Sequence, residues 1–291
     1  MEFHHRLLIL GDPHISDAER PLWEEEVIPD INALAPDLVL ILGDLTGGSE
    51  MGTAEGTRKA VETLSLIQAP WASIIGNHDL QAPEFDSDEA AVAMMLNALK
   101  RDRPGFVIER ELFAIIGLGN TFWRRNPVNK NEIVIDDEQL AWWETELARL
   151  GQKPVIIICH APPIGSGVLV LPELHARVGN AYVNQSAVPG KIQEVIWKHP
   201  NILFWFSGHN HLGQHYRDAL SQQLGVLYAH TGTASRSSSR DGHRHSRLLE
   251  IGPDGYRVRT FDHGLRALDP ELDFSVAHPL SVLAENRKRF L

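Results

Sequence analysis

Five short apolar runs in this chain break off at a carboxylate, an amide or an imidazole, and that repetition constrains the fold more than any other feature. Leu7-Leu8-Ile9-Leu10 runs into Gly11-Asp12-Pro13-His14, and Asp37–Leu42 runs into Gly43-Asp44. Trp71–Ile75 ends on Gly76-Asn77-His78-Asp79, Val155-Ile156-Ile157-Ile158 on Cys159-His160, and Ile202–Phe206 on Ser207-Gly208-His209-Asn210-His211. An apolar run of this length reads as a strand buried on both faces. Polar side chains that follow it stand at the strand's carboxyl end, which in open α/β sheets is where ligands bind. One Asp-x-His is nearly uninformative, and Gly-Asn is also an ordinary turn. Five such endings in one chain are a strong signal.

The segments between the runs support this reading. Pro21–Leu34 places Leu22, Val27, Ile31 and Leu34 amid acids, which predicts an amphipathic helix disturbed at Pro29. Helices are also expected over Thr53–Gln68, Asp88–Arg101, Asp137–Leu150 (capped by Asp136) and Lys191–His199. Strand, polar loop and helix therefore alternate, the pattern of an α/β fold with parallel strands. Phe106–Gly117 predicts a pair of short strands. Val226–His230, Ser246–Ile251 and Tyr256–Phe261 predict an antiparallel tail. The connection from Gly165 to Pro189 has little periodicity and is expected to be a lid or cap. No repeat or linker divides the chain. Residues 1–262 are expected to form one domain and 263–291 an extension, an arm on the surface or at an interface, which leaves a homo-oligomer open.

The 291 residues carry 27 Lys plus Arg against 38 Asp plus Glu, a formal charge of −11. That balance argues against sequence-independent binding to nucleic acid, which needs a basic footprint. It permits a small phosphorylated substrate, because bound cations invert the local field. Cys159 is the single cysteine, so no internal disulfide forms and a reducing compartment fits. The run at Leu7–Leu10 is too short for a signal sequence, and no run nears the roughly 20 residues of a membrane span. A cytoplasmic protein with no membrane partner is expected.

With these residues in place, the sequence resembles the calcineurin-like metallophosphoesterase family over roughly Leu7 to Phe261. Within it, the chain is similar to the bacterial branch that includes class III cyclic-nucleotide phosphodiesterases. Leu45-Thr46-Gly47-Gly48 departs from the Asp and Arg that continue the second motif of Ser/Thr protein phosphatases, which argues against that activity. The resemblance implies a four-layer α/β/β/α sandwich of two mixed β-sheets flanked by helices. It also implies two divalent metal ions: Asp12, His14 and His211 on one, Asn77, His160 and His209 on the other, and Asp44 bridging. Oxygen and imidazole ligands without thiolate suit manganese or iron first, then zinc or cobalt. A hydroxide between the ions would attack phosphorus, and His78 would act as the catalytic acid on the leaving oxygen. The implied substrate is a small phosphodiester, with cyclic nucleotides as first candidate. Glycerophosphodiesters or phosphomonoesters at the same site are the alternatives, and a non-catalytic scaffold of this fold is the alternative of a different class.

Other residues carry blander readings. Gly43, Gly76 and Gly208 permit turns that a β-carbon would hinder. Asp79 is expected to bond backbone or a ligand imidazole, and Cys159 to pack as a small hydrophobe. Arg124, Arg125 and the run Ser235–Arg240 invite a phosphate-binding role, but solvated loops are the simpler reading. Of His4, His5, His175, His199, His215, His230, His243, His245, His263 and His278, most are expected at the surface or at helix ends.

Overall fold

Strict alternation along the buried strands builds the molecule in layers. A computed structural model describes residues 1–126, 130, 132–163, 166, 183–185 and 190–291. In strand β1 (His5–Leu10), Leu7 and Ile9 point to one face and Leu8 and Leu10 to the other. The same split recurs in β2 (Leu38–Ile41), where Leu38 and Leu40 oppose Val39 and Ile41. Both faces of such strands must therefore be covered.

The first sheet runs β14-β13-β12-β1-β2-β3, with β3 at Trp71–Ser73, β12 at His245–Gly252, β13 at Gly255–Asp262 and β14 at Ala267–Val276. The second runs β10-β11-β9-β7-β5-β4: β4 Phe106–Glu109, β5 Ala114–Leu118, β7 Val155–Cys159, β9 Ile202–Ser207, β10 Leu220–Gln223 and β11 Val226–His230. Leu7, Ile9, Leu40 and Ile74 of the first sheet pack against Ile156, Ile158, Phe204 and Phe206 of the second. The outer face of the first sheet is covered by α1 (Arg20–Leu22), a π-helical turn (Trp23–Val27), α2 (Ile28–Leu34), α3 (Ala54–Leu64) and α4 (Asp88–Leu99). That of the second is covered by α5 (Asp137–Leu150) and α6 (Lys191–Lys198), through Leu140, Trp143, Ile192 and Val195. This is the expected four-layer α/β/β/α sandwich, with both sheets mixed. A small pair, β6 (Ile133–Ile135) with β8 (Val183–Gln185), lies beside it.

The disturbance expected at Pro29 is present without breaking the helix, and one other expectation needs correction. The π turn over Trp23–Val27 just before Pro29 absorbs the missing N–H, and the helical course continues to Leu34. The tail is not one antiparallel unit. β11 joins the second sheet in parallel with β9, whereas β12 crosses back to pair antiparallel with β1. Beyond Asp262 the chain stays in the first sheet: β14 pairs with β13 across a register shift between Val258 and Thr260. Its Pro270 is tolerated because β14 is an edge strand. A last helix, α7 (Leu280–Arg287), buries Leu280 and Ala284, and the Arg287 guanidinium donates to the carbonyls of Ile196, His199 and Leu224. The proposed lid from Gly165 to Pro189 lies outside the described residues, apart from Ser166 and β8. No helix among the described residues is long and apolar enough to cross a membrane.

Candidate metal centre

β1, β2 and β3 run parallel to one another, as do β5, β7, β9 and β11. The loops after β1, β2, β3, β7 and β9 bring all eight sequence-predicted residues to the carboxyl edges of the two sheets. Reaching inward distorts the backbone. Asp12, His14, Asp44, His209 and His211 all have positive φ, between 43° and 68°. They account for five of the nine such non-glycine residues among those described. Each costs on the order of 1 kcal/mol, and strain of this kind collects at functional sites.

Glycines make room for the carboxylates. A β-carbon on Gly208 would lie 2.2 Å from Asp12 Oδ2, and one on Gly76 would lie 2.2 Å from Asp44 Oδ1. The requirement is close approach; neither position has a positive φ.

The imidazoles are held by main-chain carbonyls. Nδ1 of His14 donates to Thr46 O at 3.1 Å, Nδ1 of His211 donates to Ser238 O at 3.1 Å, and Nδ1 of His160 donates to Leu42 O. With Nδ1 a donor in each ring, Nε2 is the nitrogen turned toward the carboxylates, an acceptor whenever the ring is neutral. His14 Nε2 and His211 Nε2 stand 3.1 Å apart, and Asp12 Oδ1 is 3.1 Å from the latter. Three lone pairs facing one another call for a cation. On the other side His160 Nε2 is 3.1 Å from Asp44 Oδ2 and 3.5 Å from Asp12 Oδ1, with the His209 ring 5.0 Å from the His160 ring. Asp44 Oδ2 is also 3.8 Å from His14 Nε2, so it lies between the two groups.

Ligand atoms of Asp12, His14, Asp44 and His211 all fall within 4.8 Å of one another. Both amide atoms of fully buried Asn77, together with Asp44 Oδ2 and His160 Nε2, lack a hydrogen-bond partner. Buried polar atoms are ordinarily paired, so the donor set fits a pair of metal ions.

The electrostatics agree. Burial opposes ionisation of Asp12, but His211 and His160 outweigh it and bring its pKa down to about 2. Burial likewise opposes charge on His160, yet Asp44 and Asp12 hold its pKa up at about 10. A proton on His160 thus stands where a cation belongs, and metal binding would release it.

Asp79 serves the backbone, as expected. Its Oδ2 accepts the N–H groups of Asp44 and Gly76, and its Oδ1 that of Leu45, each at 2.8 Å. The N–H of His78 donates to Asp44 Oδ1 at 2.8 Å, and His78 Nδ1 to Gln81 Oε1 at 2.7 Å. The half-buried His78 ring lies 5.5 Å from that of His14 and 6.1 Å from that of Trp123.

Neither arginine of the 120s loop is a free anion grip. Arg124 donates to the carbonyls of Leu80 and Ala82, bracing the turn behind His78, and Arg125 pairs with Glu89 and Asp88. The Ser235–Arg240 loop is not loose: Glu19 accepts from Ser235 Oγ and from the N–H groups of Arg236 and Ser237. That loop supplies the Ser238 carbonyl on His211, so Glu19 positions a candidate ligand from 192 residues away in sequence, 211 minus 19. Nothing in the sequence pattern marks it. Cys159 is buried as expected, and burial pushes its thiol up to about 12. His230, His245 and His263 are fully buried, exceptions within a set expected mostly at the surface or at helix ends. A cavity of about 370 Å³ lined by Thr121, Phe122, Arg125, Gln139 and Trp142 contains none of the converging side chains.

Among known proteins, residues 5–213 match the calcineurin-like phosphoesterase family, a span containing all eight residues. A probable glycerophosphodiester phosphodiesterase of Arcobacter nitrofigilis is 27% identical over 182 residues, covering 60% of this chain and 57% of that protein. A glycerophosphodiester phosphodiesterase of Enterobacter lignolyticus is 24% identical over 202 residues, covering 64% of this chain and 60% of that protein. The match thus spans less than two thirds of either relative. A dimetal phosphatase from Danio rerio has a TM-score of 0.66 at 12% identity, covering 95% of this chain and 100% of that one. The purple acid phosphatase PPD1 from yellow lupin seeds scores 0.67 at 15% identity, covering 96% of this chain and 55% of that one. These two likenesses concern the fold alone. The family match spans the loops after β1, β2, β3, β7 and β9 with their strained residues and all eight converging side chains: the chain belongs to the calcineurin-like phosphoesterase family.

Proposed function

We propose that this chain is a dinuclear metal-dependent phosphodiesterase acting on a small phosphodiester, with glycerophosphodiesters as its first substrate class. The observation that carries this reading is the set of buried polar side-chain atoms without a hydrogen-bond partner: Asp44 Oδ2, His160 Nε2 and both amide atoms of Asn77. A scaffold protein has no physical use for them. Asp12, His14 and His211 would hold one divalent ion and Asn77, His160 and His209 the other, with Asp44 shared. The oxygen and imidazole donors suit manganese or iron first, then zinc or cobalt. Such ions, when bound, neutralise charge on phosphoryl oxygens and make hydroxide available near neutral pH.

The chain's own groups do the rest. The Nδ1–H of His78 is committed to Gln81, so the proton it can give a leaving oxygen is on Nε2 of the imidazolium. Asp79 fixes the backbone of Asp44, and Thr46, Leu42 and Ser238 fix three imidazole rings. Glycerophosphodiesters come ahead of cyclic nucleotides because two relatives, at 27% and 24% identity, carry that activity in their names. A cytoplasmic setting is part of the same proposal, supported by the lone buried Cys159.

Manganese-loaded protein should be assayed against glycerophosphodiesters, 3′,5′-cyclic nucleotides, nitrophenyl diesters and nitrophenyl monoesters. Metal-dependent turnover is expected, with diesters ahead of monoesters and glycerophosphodiesters ahead of cyclic nucleotides. Absence of metal-dependent turnover on every ester would overturn the enzyme reading in favour of the scaffold.

A further inference from the structure

The turn that begins at His78 is built to hold its ring. His78–Leu80 is a 3₁₀ turn that ends on Gln81, itself in helical conformation at φ −83° and ψ −15°. Side chains three residues apart eclipse one another on such a turn, so the amide of Gln81 is set against the imidazole of His78. Gln81 Oε1 accepts the His78 Nδ1–H at 2.7 Å. An amide oxygen can only accept, which makes Nδ1 the donor and leaves Nε2 without a hydrogen-bond partner among the described residues. The turn is also braced from outside. The guanidinium of Arg124 donates to the carbonyls of Leu80, at 2.8 Å, and of Ala82, the residues on either side of Gln81. Arg124 is placed in turn by Asp88, whose buried carboxylate accepts the N–H groups of Trp123, Arg124 and Arg125 at 3.1, 2.8 and 2.9 Å. A β-carbon on Gly52 would lie 2.6 Å from the His78 carbonyl, so the loop after β2 presses on the same turn. Asp88, Arg124 and Gln81 thus form a line of support from the start of α4 to His78. Among the described residues, none of the three side chains bonds a candidate metal ligand.

We propose that Gln81 is the positioning residue of the leaving-group acid, and that it suits the chain to phosphodiesters with an unactivated alkyl leaving alcohol. The inference rests on the phosphodiesterase reading above. As the bond from phosphorus to the leaving oxygen breaks, its electron pair stays on that oxygen and takes the Nε2 proton of the imidazolium. The ring left behind is neutral with its remaining proton on Nδ1, the form whose N–H Gln81 accepts. Gln81 therefore holds one proton in place while the other moves. Without it the ring is free to turn, and its neutral form can carry the proton on either nitrogen. Help of this kind matters for an alkoxide and little for a nitrophenolate, which leaves readily as an anion.

Turnover of glycerophosphodiesters and of nitrophenyl diesters at matched metal occupancy tests this. Gln81→Leu should lower kcat on the alkyl diesters about 10–100-fold, the range seen when a partner that orients an imidazole is removed. The fall on nitrophenyl diesters should be much smaller, with metal content unchanged. Gln81→Glu keeps an acceptor at the same reach and should restore most of the alkyl turnover. In a His78→Ala background, Gln81→Leu should cost nothing more on alkyl diesters, because Gln81 acts only through that ring. Far-UV circular dichroism checks the fold, and Gln81→Met serves if the leucine variant is unstable. A second readout is free of turnover. The His78 Nδ1–H should give a downfield proton resonance in the zinc-loaded protein, absent from His78→Ala and Gln81→Leu and kept in Gln81→Glu. Equal falls on both ester types, a further fall in the double variant, or a resonance that survives in Gln81→Leu overturns the proposal. No turnover by the unaltered chain overturns the phosphodiesterase reading and this inference with it. A Gln81→Leu variant as active as the unaltered chain on alkyl diesters overturns this inference alone.

Discussion

Asp79 grips Asp44 by its backbone: the Asp79 carboxylate accepts the Asp44 N–H at 2.8 Å, while the Asp44 side chain faces inward among the imidazoles. The same carboxylate takes the N–H of Leu45 and of Gly76, so one side chain joins the loops after β2 and β3. Burial and the charge of Asp44 raise the Asp79 pKa to about 6, against the pull of the three N–H groups. Cations beside Asp44 would cancel the repulsion and leave those N–H groups to favour the carboxylate.

Asp79→Asn should therefore harm the metal-loaded protein more than the metal-free one. The amide turns an N–H toward N–H donors and loses charge-assisted bonds worth about 1.5–3 kcal/mol each. Metal affinity should fall about 10–100-fold, the usual effect of losing such support. Metal-buffered titration of both proteins checks this, and unchanged affinity would contradict it.

Asp44 is the shared ligand in the proposed assignment, and its substitution should be distinguishable from the others. Asp44→Asn should weaken both ions, whereas His14→Ala should chiefly release one and His160→Ala chiefly the other. Elemental analysis after dialysis against a metal buffer gives the count per chain. Loss of one same ion in all three variants would contradict the assignment.

A third expectation concerns acid stability. His263 is fully buried, its Nε2 is bonded to Ser246 Oγ at 3.1 Å, and burial together with nearby Arg244 and His245 lowers its pKa from 6.5 to about 3. Its folded pKa lies below its unfolded value, so the folded state binds fewer protons. Stability is then fully present above pH 6.5 and is lost as pH falls from 6.5 toward 3, at up to about 1.4 kcal/mol per pH unit. His263→Gln, which keeps a hydrogen-bonding group without titrating, should flatten that slope. Urea unfolding at several pH values between 4 and 7 measures it, and parallel profiles for the two proteins would rule the contribution out.

What could be read from the sequence divides along physical lines. The five buried strands and their polar endings were legible because a strand covered on both faces must be apolar throughout, and because ligands at its end interrupt that run. The cap at Asp136 was legible for a similar local reason, its carboxylate accepting the Gln139 N–H. Glu19 and Asp88 were not. Each is a single acid bonded to consecutive backbone N–H groups of a distant loop: Arg236 and Ser237 for one, Trp123, Arg124 and Arg125 for the other. Such contacts leave no periodicity. β14 was missed because, as an edge strand, it shows no clean alternation and contains Pro270. His245 and His263 did not stand out as buried exceptions because imidazole is polar yet can be buried neutral, and sequence alone does not show where its hydrogen-bond partners lie.

His78 gives the sharpest test of chemistry. If it protonates the departing oxygen, its importance depends on how poorly that oxygen leaves unprotonated. A nitrophenolate leaves readily as an anion, whereas a glycerol or ribose alkoxide does not. General-acid help is typically about 10²–10⁴-fold, so His78→Ala should lose most of that on alkyl diesters and much less on nitrophenyl diesters. The geometry makes the substitution clean. The bond from residue 78 to Asp44 Oδ1 comes from the main-chain N–H, which alanine keeps, so metal content should not change. The competing role is a prop: the ring packs near His14 and Trp123 and bonds Gln81, and its loss could loosen the loop that carries Asn77. A prop predicts lower metal occupancy and a similar fall on every ester. Turnover of both ester types at matched metal occupancy separates the two, and a uniform fall would exclude the acid role.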